Sequence, residues 1–247
     1  MADQKGGEKA KSDDKKIKSG ELGEDYIKYH AFSVAEDLPL RSPKIGYNYL
    51  PIGGLNMEMP QPNSEILSKK AKIAAALRAV LPYDAVIDDP SETRAYECDA
   101  LTAYRCPPMI AVLPATTQEV SDILKICHRE GVPVVPRGSG TSLAGGALPT
   151  ADCVILGVAK MNKVLETDYE NRLIRVQSGR TNLSVSGAVE EEDFFYAPDP
   201  SSQLACAIAG NIAMNSGGAH CLKYGVTTNT LMGVTMVMMD GEIVEIG

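Results

Sequence analysis

The segment Val134-Val-Pro-Arg-Gly-Ser-Gly-Thr-Ser-Leu-Ala-Gly-Gly-Ala147 decides the reading of this chain. An apolar, β-prone run opens directly into a loop of glycines and small hydroxyl residues with one arginine. Gly138, Gly140, Gly145 and Gly146 reach positive φ at little cost and let a ligand come close. Such a loop can turn successive backbone N–H groups toward one point, which makes a nest for an anion, above all phosphate. The two commoner phosphate signatures fail here. Counted from Gly138, the dinucleotide pattern G-x-G-x-x-G needs glycine where Leu143 stands. Counted from Gly140, the P-loop needs lysine where Gly146 stands. The loop therefore belongs to a third kind of nucleotide site, and a NAD-dependent Rossmann enzyme is a poor reading.

Composition bounds the rest. At 247 residues and 44% hydrophobic content, the chain can bury a sizeable core in one domain or two small lobes. A net charge of −8 argues against a nucleic-acid surface, which needs a dense basic stripe. No run approaches the ~18 apolar residues of a membrane span. The lysine- and aspartate-rich start has no apolar core of a secretory signal. Cys98, Cys106, Cys127, Cys153, Cys206 and Cys221 are scattered, with no C-x-x-C pair. They read as reduced, mostly buried thiols of a soluble cytoplasmic protein, with peripheral membrane attachment through partners left open. No metal site is expected.

Three regions differ in character. Residues 1–59 are charged, then punctuated by proline and glycine, and read as a flexible extension. Residues 60–162 form a first lobe. Ile66, Leu67, Ile73, Ala74, Leu77 and Val80–Leu81 recur at helical spacing until Pro82. Ile110–Leu113 is a strand, Thr116-x-x-Glu119 a capping box, and Val120 to Cys127 one face of a helix that Gly131 stops. Strands at Val132–Val135 and Cys153–Val158 follow, with the glycine loop at a strand's carboxyl end, where α/β sheets place ligands. Residues 163–247 form a second lobe. It has a half-buried strand at Leu173–Gln177, an amphipathic helix over Leu183–Glu191 and a rigid turn at Pro198–Ser202. Val234–Met239 and Glu242–Ile246 flank Asp240-Gly241, a two-residue hairpin signal. The sequence ends one residue beyond that hairpin, which reads as truncation of the second lobe. The fold class is α+β, of two α/β lobes.

Four segments then carry a resemblance. Pro136-Arg-Gly-Ser-Gly-Thr-Ser-Leu-Ala-Gly-Gly146, Pro198-Asp-Pro-Ser-Ser202, Ala209-Gly-Asn-Ile-Ala-Met-Asn-Ser-Gly-Gly218 and Lys223-Tyr-Gly225 occur in that order. Together they resemble the FAD-binding domain of the PCMH-type (vanillyl-alcohol-oxidase-like) flavoenzymes. Within that family the similarity is to glycolate oxidase D-subunits and FAD-linked D-2-hydroxy-acid dehydrogenases, and it runs from about Pro60 to Gly247.

The resemblance implies FAD as cofactor and assigns its site. Pro136, Arg137, Gly138, Ser139, Gly140, Thr141 and Ser142, with Gly146, match the loop whose amides hold the diphosphate. Pro198, Asp199, Pro200, Ser201 and Ser202 match the turn beside the flavin and ribityl chain. Gly210, Met214, Asn215, Ser216, Gly217 and Gly218 match the second lobe's approach to the flavin, and Ile243 a position touching adenine. Thr141 stands where some relatives carry a histidine bonded to flavin, so the resemblance implies noncovalent FAD unless a cysteine elsewhere supplies the link. His220 follows the Gly-Gly pair, but nothing in the sequence gives it an orienting carboxylate, and the family's usual base lies beyond residue 247. No catalytic residue is assigned, and His128 reads as a solvated helix-end residue. The implied reaction is oxidation of a small 2-hydroxy acid such as glycolate or D-lactate, with hydride passing from C2 to flavin N5. Partner subunits that carry flavin or an iron–sulfur centre are implied too. Two alternatives stand beside this reading: a noncatalytic FAD-binding accessory subunit and an inactive gene fragment.

Overall fold

Strand exits and helix caps set the architecture of the computed structural model, which describes residues 59–247; the expected extension over residues 1–59 lies almost wholly outside the described residues. The first apolar stripe forms two helices, α1 (Ser64–Ser68) and α2 (Lys70–Arg78), rather than one. Lys69 interrupts them at φ −91° and ψ 1°. Asn63 caps α1 by accepting the Glu65 N–H at 2.9 Å, and its own N–H is held by Asp152 at 2.8 Å. A short strand β1 (Val86–Ile87) follows, which the sequence pattern did not reveal. Asp88-Asp-Pro90 is a helix start: Asp89 caps α3 (Pro90–Thr93), with proline in the first turn.

Strand β2 (Ile110–Val112) leads into α4 (Thr117–Glu130). The Thr116 hydroxyl accepts the Glu119 N–H at 3.2 Å. The reciprocal bond lands one residue earlier than expected, on the Ala115 N–H at 2.6 Å. Gly131 ends α4 in the left-handed region at φ 69°, and Val132 donates back to the Cys127 carbonyl at 2.9 Å. Strand β3 is Val134–Arg137 and β4 is Val154–Gly157. The sheet order is β1-β2-β4-β3, parallel except for β1. Strands β2 and β4 are buried throughout, as expected of parallel strands covered on both faces. One face packs Ile110, Val112, Val154 and Leu156 against Ile73 and Leu77 of α2 and Ile123 and Cys127 of α4. The other buries Ala111, Cys153 and Ile155.

Beyond residue 162 the chain builds hairpins. Strand β5 (Val164–Asp168) pairs antiparallel with β6 (Leu173–Val176). Helix α5 covers only Asn182–Gly187. The expected run to Glu191 is not continuous: the helix closes at Gly187 with Ala188 as its cap, and Glu190–Glu192 form a separate 3₁₀ segment ending at left-handed Asp193. Helices α6 (Ile208–Met214) and α7 (Cys221–Tyr224) precede the hairpin of β7 (Val234–Val237) and β8 (Ile243–Ile246). Its loop holds three residues rather than two. Gly241 donates to the Met238 carbonyl at 2.9 Å and Met238 to the Glu242 carbonyl at 2.8 Å, with Gly241 at φ 86°. That hairpin rests on α4, where the Ser121 hydroxyl donates to the Gly241 carbonyl.

The six cysteines are free; Cys127, Cys153 and Cys206 are buried, while Cys98, Cys106 and Cys221 are partly exposed. Among the described residues no helix is long and apolar enough to cross a membrane, and no cluster of candidate metal ligands is found.

Candidate functional site

Strand β3 delivers the glycine loop at its carboxyl end. Pro136 and Arg137 are its last residues. The next six backbone N–H groups, residues 138–143, have no hydrogen-bond acceptor among the described residues. Only at Ala144 does bonding resume, to the Ser142 hydroxyl at 3.1 Å. Native proteins satisfy nearly all backbone donors that leave water, so a run of unclaimed amides in a half-buried loop is a ready anion site.

Positive φ occurs at Gly140 (68°) and Gly145 (76°), but not at Gly138 or Gly146. At Gly138 space is tight for another reason: a Cβ there would stand 3.2 Å from Ala207 Cβ. At Gly146 a Cβ would meet open space. The Arg137 side chain is held by backbone carbonyls at the loop's edge. Its Nη1 donates to the Cys98 carbonyl at 2.8 Å and the Ala147 carbonyl at 3.4 Å, and the guanidinium lies 5.8 Å from the Tyr96 ring centre. A side chain at Gly140 would run into this guanidinium. Arg137 thus ties the two ends of the loop together.

Beside the loop lies a cavity of about 330 Å³, lined by Gly138 and Ser139, by Ala159 and Asn162, and by Gly179, Arg180, Thr181, Ser184 and Ala207. Backbone pairing assembles it. Gly179 donates to the Met161 carbonyl at 2.8 Å and packs so closely on the Val158 carbonyl that no Cβ fits. Asn182 donates to the Cys206 carbonyl at 3.0 Å and Ile208 to the Arg180 carbonyl at 2.9 Å. These bonds stitch the start of α5 and the residues before it to the start of α6. Of the residues assigned from sequence, only Gly138 and Ser139 line this cavity. The Gly179–Ser184 wall was missed, because one glycine after a strand gave no signal by itself.

The remaining assigned residues gather elsewhere. Gly218 presses on the Asp199 carbonyl so tightly that a Cβ would overlap it. The buried Asn182 amide holds the Pro198 carbonyl at 2.9 Å, and Pro200 accepts from Gln203 at 2.8 Å. Ser202 accepts the Cys206 N–H at 2.8 Å; Ser201 is exposed. Asn215 caps α6 at φ 48°, and its side chain accepts the Thr228 N–H at 3.0 Å. Ser216 accepts both the Thr227 N–H and hydroxyl, at 2.9 and 2.7 Å. Gly217 is crowded by Cys221 and Val226, whereas Gly210 faces open space. Met214 is half exposed. Helix α6 joins this group to the glycine loop, since Ala207 at its start touches Gly138. Ile243 sits in β8, outside the cavity lining.

One sequence expectation is corrected here. His220 does have an orienting carboxylate: its Nδ1 lies 3.0 Å from Asp199 Oδ2, and its backbone N–H donates to Asp199 Oδ1 at 3.1 Å.

Unclaimed amides, an open cavity and glycines that admit close approach define a binding domain for a phosphate-bearing cofactor. Comparison with known proteins narrows this. Residues 108–247 match the family model described as "FAD binding domain", and the chain belongs to that family. It is 45% identical over 178 residues to glycolate oxidase subunit GlcD of Escherichia coli (strain K12), covering 72% of this chain and 36% of GlcD. It is 33% identical over 184 residues to D-lactate dehydrogenase of Anaerostipes hadrus, covering 74% of this chain and 37% of that protein. The fold matches alkyldihydroxyacetonephosphate synthase with a TM-score of 0.66 at 20% identity, over 77% of this chain and 36% of that one. The chain thus spans about a third of the length of these relatives. It is an FAD-binding domain homologous to part of GlcD and of D-lactate dehydrogenase, with the fold of the PCMH-type flavoenzymes. The residues present fit FAD: the free amides suit a diphosphate, and the cavity volume lies within the roughly 300–1,000 Å³ typical of ligand pockets.

Proposed function

We propose that this chain supplies the FAD-binding portion of a dehydrogenase or oxidase for small 2-hydroxy acids of the glycolate or D-lactate class. The observation that carries the reading is the run of unclaimed amides at residues 138–143 beside the cavity. The names of the relatives support the substrate class. With FAD held there, the chemistry supplied is two-electron oxidation of the hydroxy acid.

The chain's own residues bind and orient. The amides of Gly138 to Leu143 take the diphosphate, and Arg137 holds the loop's ends together. Pro198–Ser202 and Met214–Gly218 form the flavin side, locked together where Gly218 meets Asp199. Gly210 leaves room, and Ile243 serves the adenine end. The site divides a first lobe, residues 60–162, from a second, residues 163–247. Thr141 cannot form a histidyl link, so FAD is held noncovalently. GlcD is named as a subunit, which supports assembly with partner subunits. An iron–sulfur protein among them, and a cytoplasmic location, rest on the family resemblance alone.

The test is a visible spectrum of the purified chain after incubation with FAD and gel filtration. Bands near ~375 and ~450 nm, with the flavin released into the supernatant by acid precipitation, are expected. A colourless protein would refute the cofactor reading, and colour retained in the acid pellet would refute noncovalent attachment. Addition of glycolate or D-lactate to the assembled complex should bleach the longer band; failure with both would refute the substrate class.

A further inference from the structure

The cavity wall built by Gly179–Ser184 carries a charge that the family assignment does not explain. Arg180 is the one ionisable residue among those lining the cavity. Its guanidinium is rigidly mounted. Nη1 donates to the Asn162 carbonyl at 3.1 Å and Nη2 to the Ser184 carbonyl at 2.8 Å. Its backbone is pinned as well, by the bond from Ile208. Yet no carboxylate lies within ion-pair distance of it among the described residues, and its Nε is buried without an acceptor. Its neighbours Asn162, Thr181, Ser184, Gly138 and Ser139 are all neutral.

A partly buried cation with no counter-ion is electrostatically unfavourable unless an anion joins it. Arginine offers five N–H donors, so the two carbonyl bonds leave Nη hydrogens for a ligand. Arg180 lines the same cavity as Gly138 and Ser139, whose amides are unclaimed. We infer that Arg180 is a diphosphate-binding residue, acting together with the amides of the glycine loop. The inference rests on the FAD reading above. It adds a charged, side-chain contact to a site otherwise built from backbone, and it makes cofactor affinity depend on ionic strength.

The test is FAD affinity of the full chain by flavin fluorescence, at low and high salt, for the wild type and Arg180→Gln. The variant should bind FAD about 10- to 100-fold more weakly, with a shallower salt dependence, in the range of one lost charge-assisted bond. Because the guanidinium also braces two carbonyls, wild-type protein is treated in parallel with phenylglyoxal and Arg180 followed by mass spectrometry. FAD should protect Arg180, and riboflavin, which lacks phosphate, should not. Unchanged FAD affinity and salt dependence in a folded Arg180→Gln, or modification of Arg180 undiminished by bound FAD, would overturn the inference and leave the FAD reading intact. If the wild type itself binds no FAD, the underlying reading falls and this inference with it.

Discussion

His220 and Asp199 are joined twice, through the imidazole Nδ1 at 3.0 Å and through the His220 backbone N–H at 3.1 Å. The same aspartate presents its carbonyl to Gly218. This pair therefore fastens the Pro198–Ser202 turn to the Gly217–Gly218 corner. The imidazole side is 60% exposed, the carboxylate only 16%, so the backbone bond should matter more than the ring. Asp199→Ala is expected to cost about 1–2 kcal/mol, lowering Tm by roughly 2–8 °C, and His220→Ala clearly less. Thermal melts of both variants and the double variant check this. Equal losses from the two single changes would contradict it.

Gly179 and Gly146 should respond in opposite ways to alanine. At Gly179 the new methyl overlaps the Val158 carbonyl and stands near that of Met161. Backbone cannot give way as a side-chain tip can, so Gly179→Ala is expected to cost about 1–3 kcal/mol and to open the cavity seam. At Gly146 there is open space and no positive φ, so Gly146→Ala should stay within about 0.5 kcal/mol of wild type. Urea unfolding of both variants separates them.

Much of this was legible in sequence for a physical reason. Helix α4 carries its own boundaries, Thr116 at one end and Gly131 at the other, and β3 runs unbroken into the glycine loop. What stayed hidden depends on distant partners. Strand β5, Val164-Leu-Glu-Thr-Asp168, has no buried residue and is mixed in polarity, and its pairing with β6 is what makes it a strand. Asp199 and His220 lie 21 residues apart, so only the fold reveals their contact. Arg180 follows a glycine in an unremarkable run, and its meaning appears only when Ser139 and Asn162 are seen on the same cavity. The Asp240-Gly241 turn was located correctly but its length was not, since Gly241 serves as the left-handed third residue of the loop.

The Arg78–Asp88 pair predicts the direction of acid sensitivity. Its two bonds measure 2.7 and 3.1 Å, and the Arg78 hydrogen bond holds the Asp88 carboxyl below its ordinary range. A carboxyl depressed in the folded state contributes stability that is complete above its unfolded pKa of about 4. That contribution is lost as pH falls through the lower folded value. Asp88→Asn should therefore lower stability at pH 7 by up to about 1 kcal/mol and bring no penalty well below pH 3. Denaturant midpoints for wild type and variant at both pH values check the sign.

The thiols should divide by burial. Burial pushes Cys127 up to about 12 and Cys153 up to about 11, so neither forms appreciable thiolate near neutrality. An aromatic disulfide reagent at pH 8 should label Cys98 and Cys221 in the folded chain, and Cys127 and Cys153 only after unfolding. Labelling of Cys127 at the rate of Cys221 would contradict the packing of α4 on the sheet.

The central claim is that the amides of residues 138–143 receive the phosphates of FAD. The most direct measurement is an ¹⁵N-resolved NMR titration of the chain with FAD, following those six backbone signals. The account predicts large downfield shifts concentrated at Gly138 to Leu143, with riboflavin leaving them in place. Binding of FAD with those amides unmoved would contradict it.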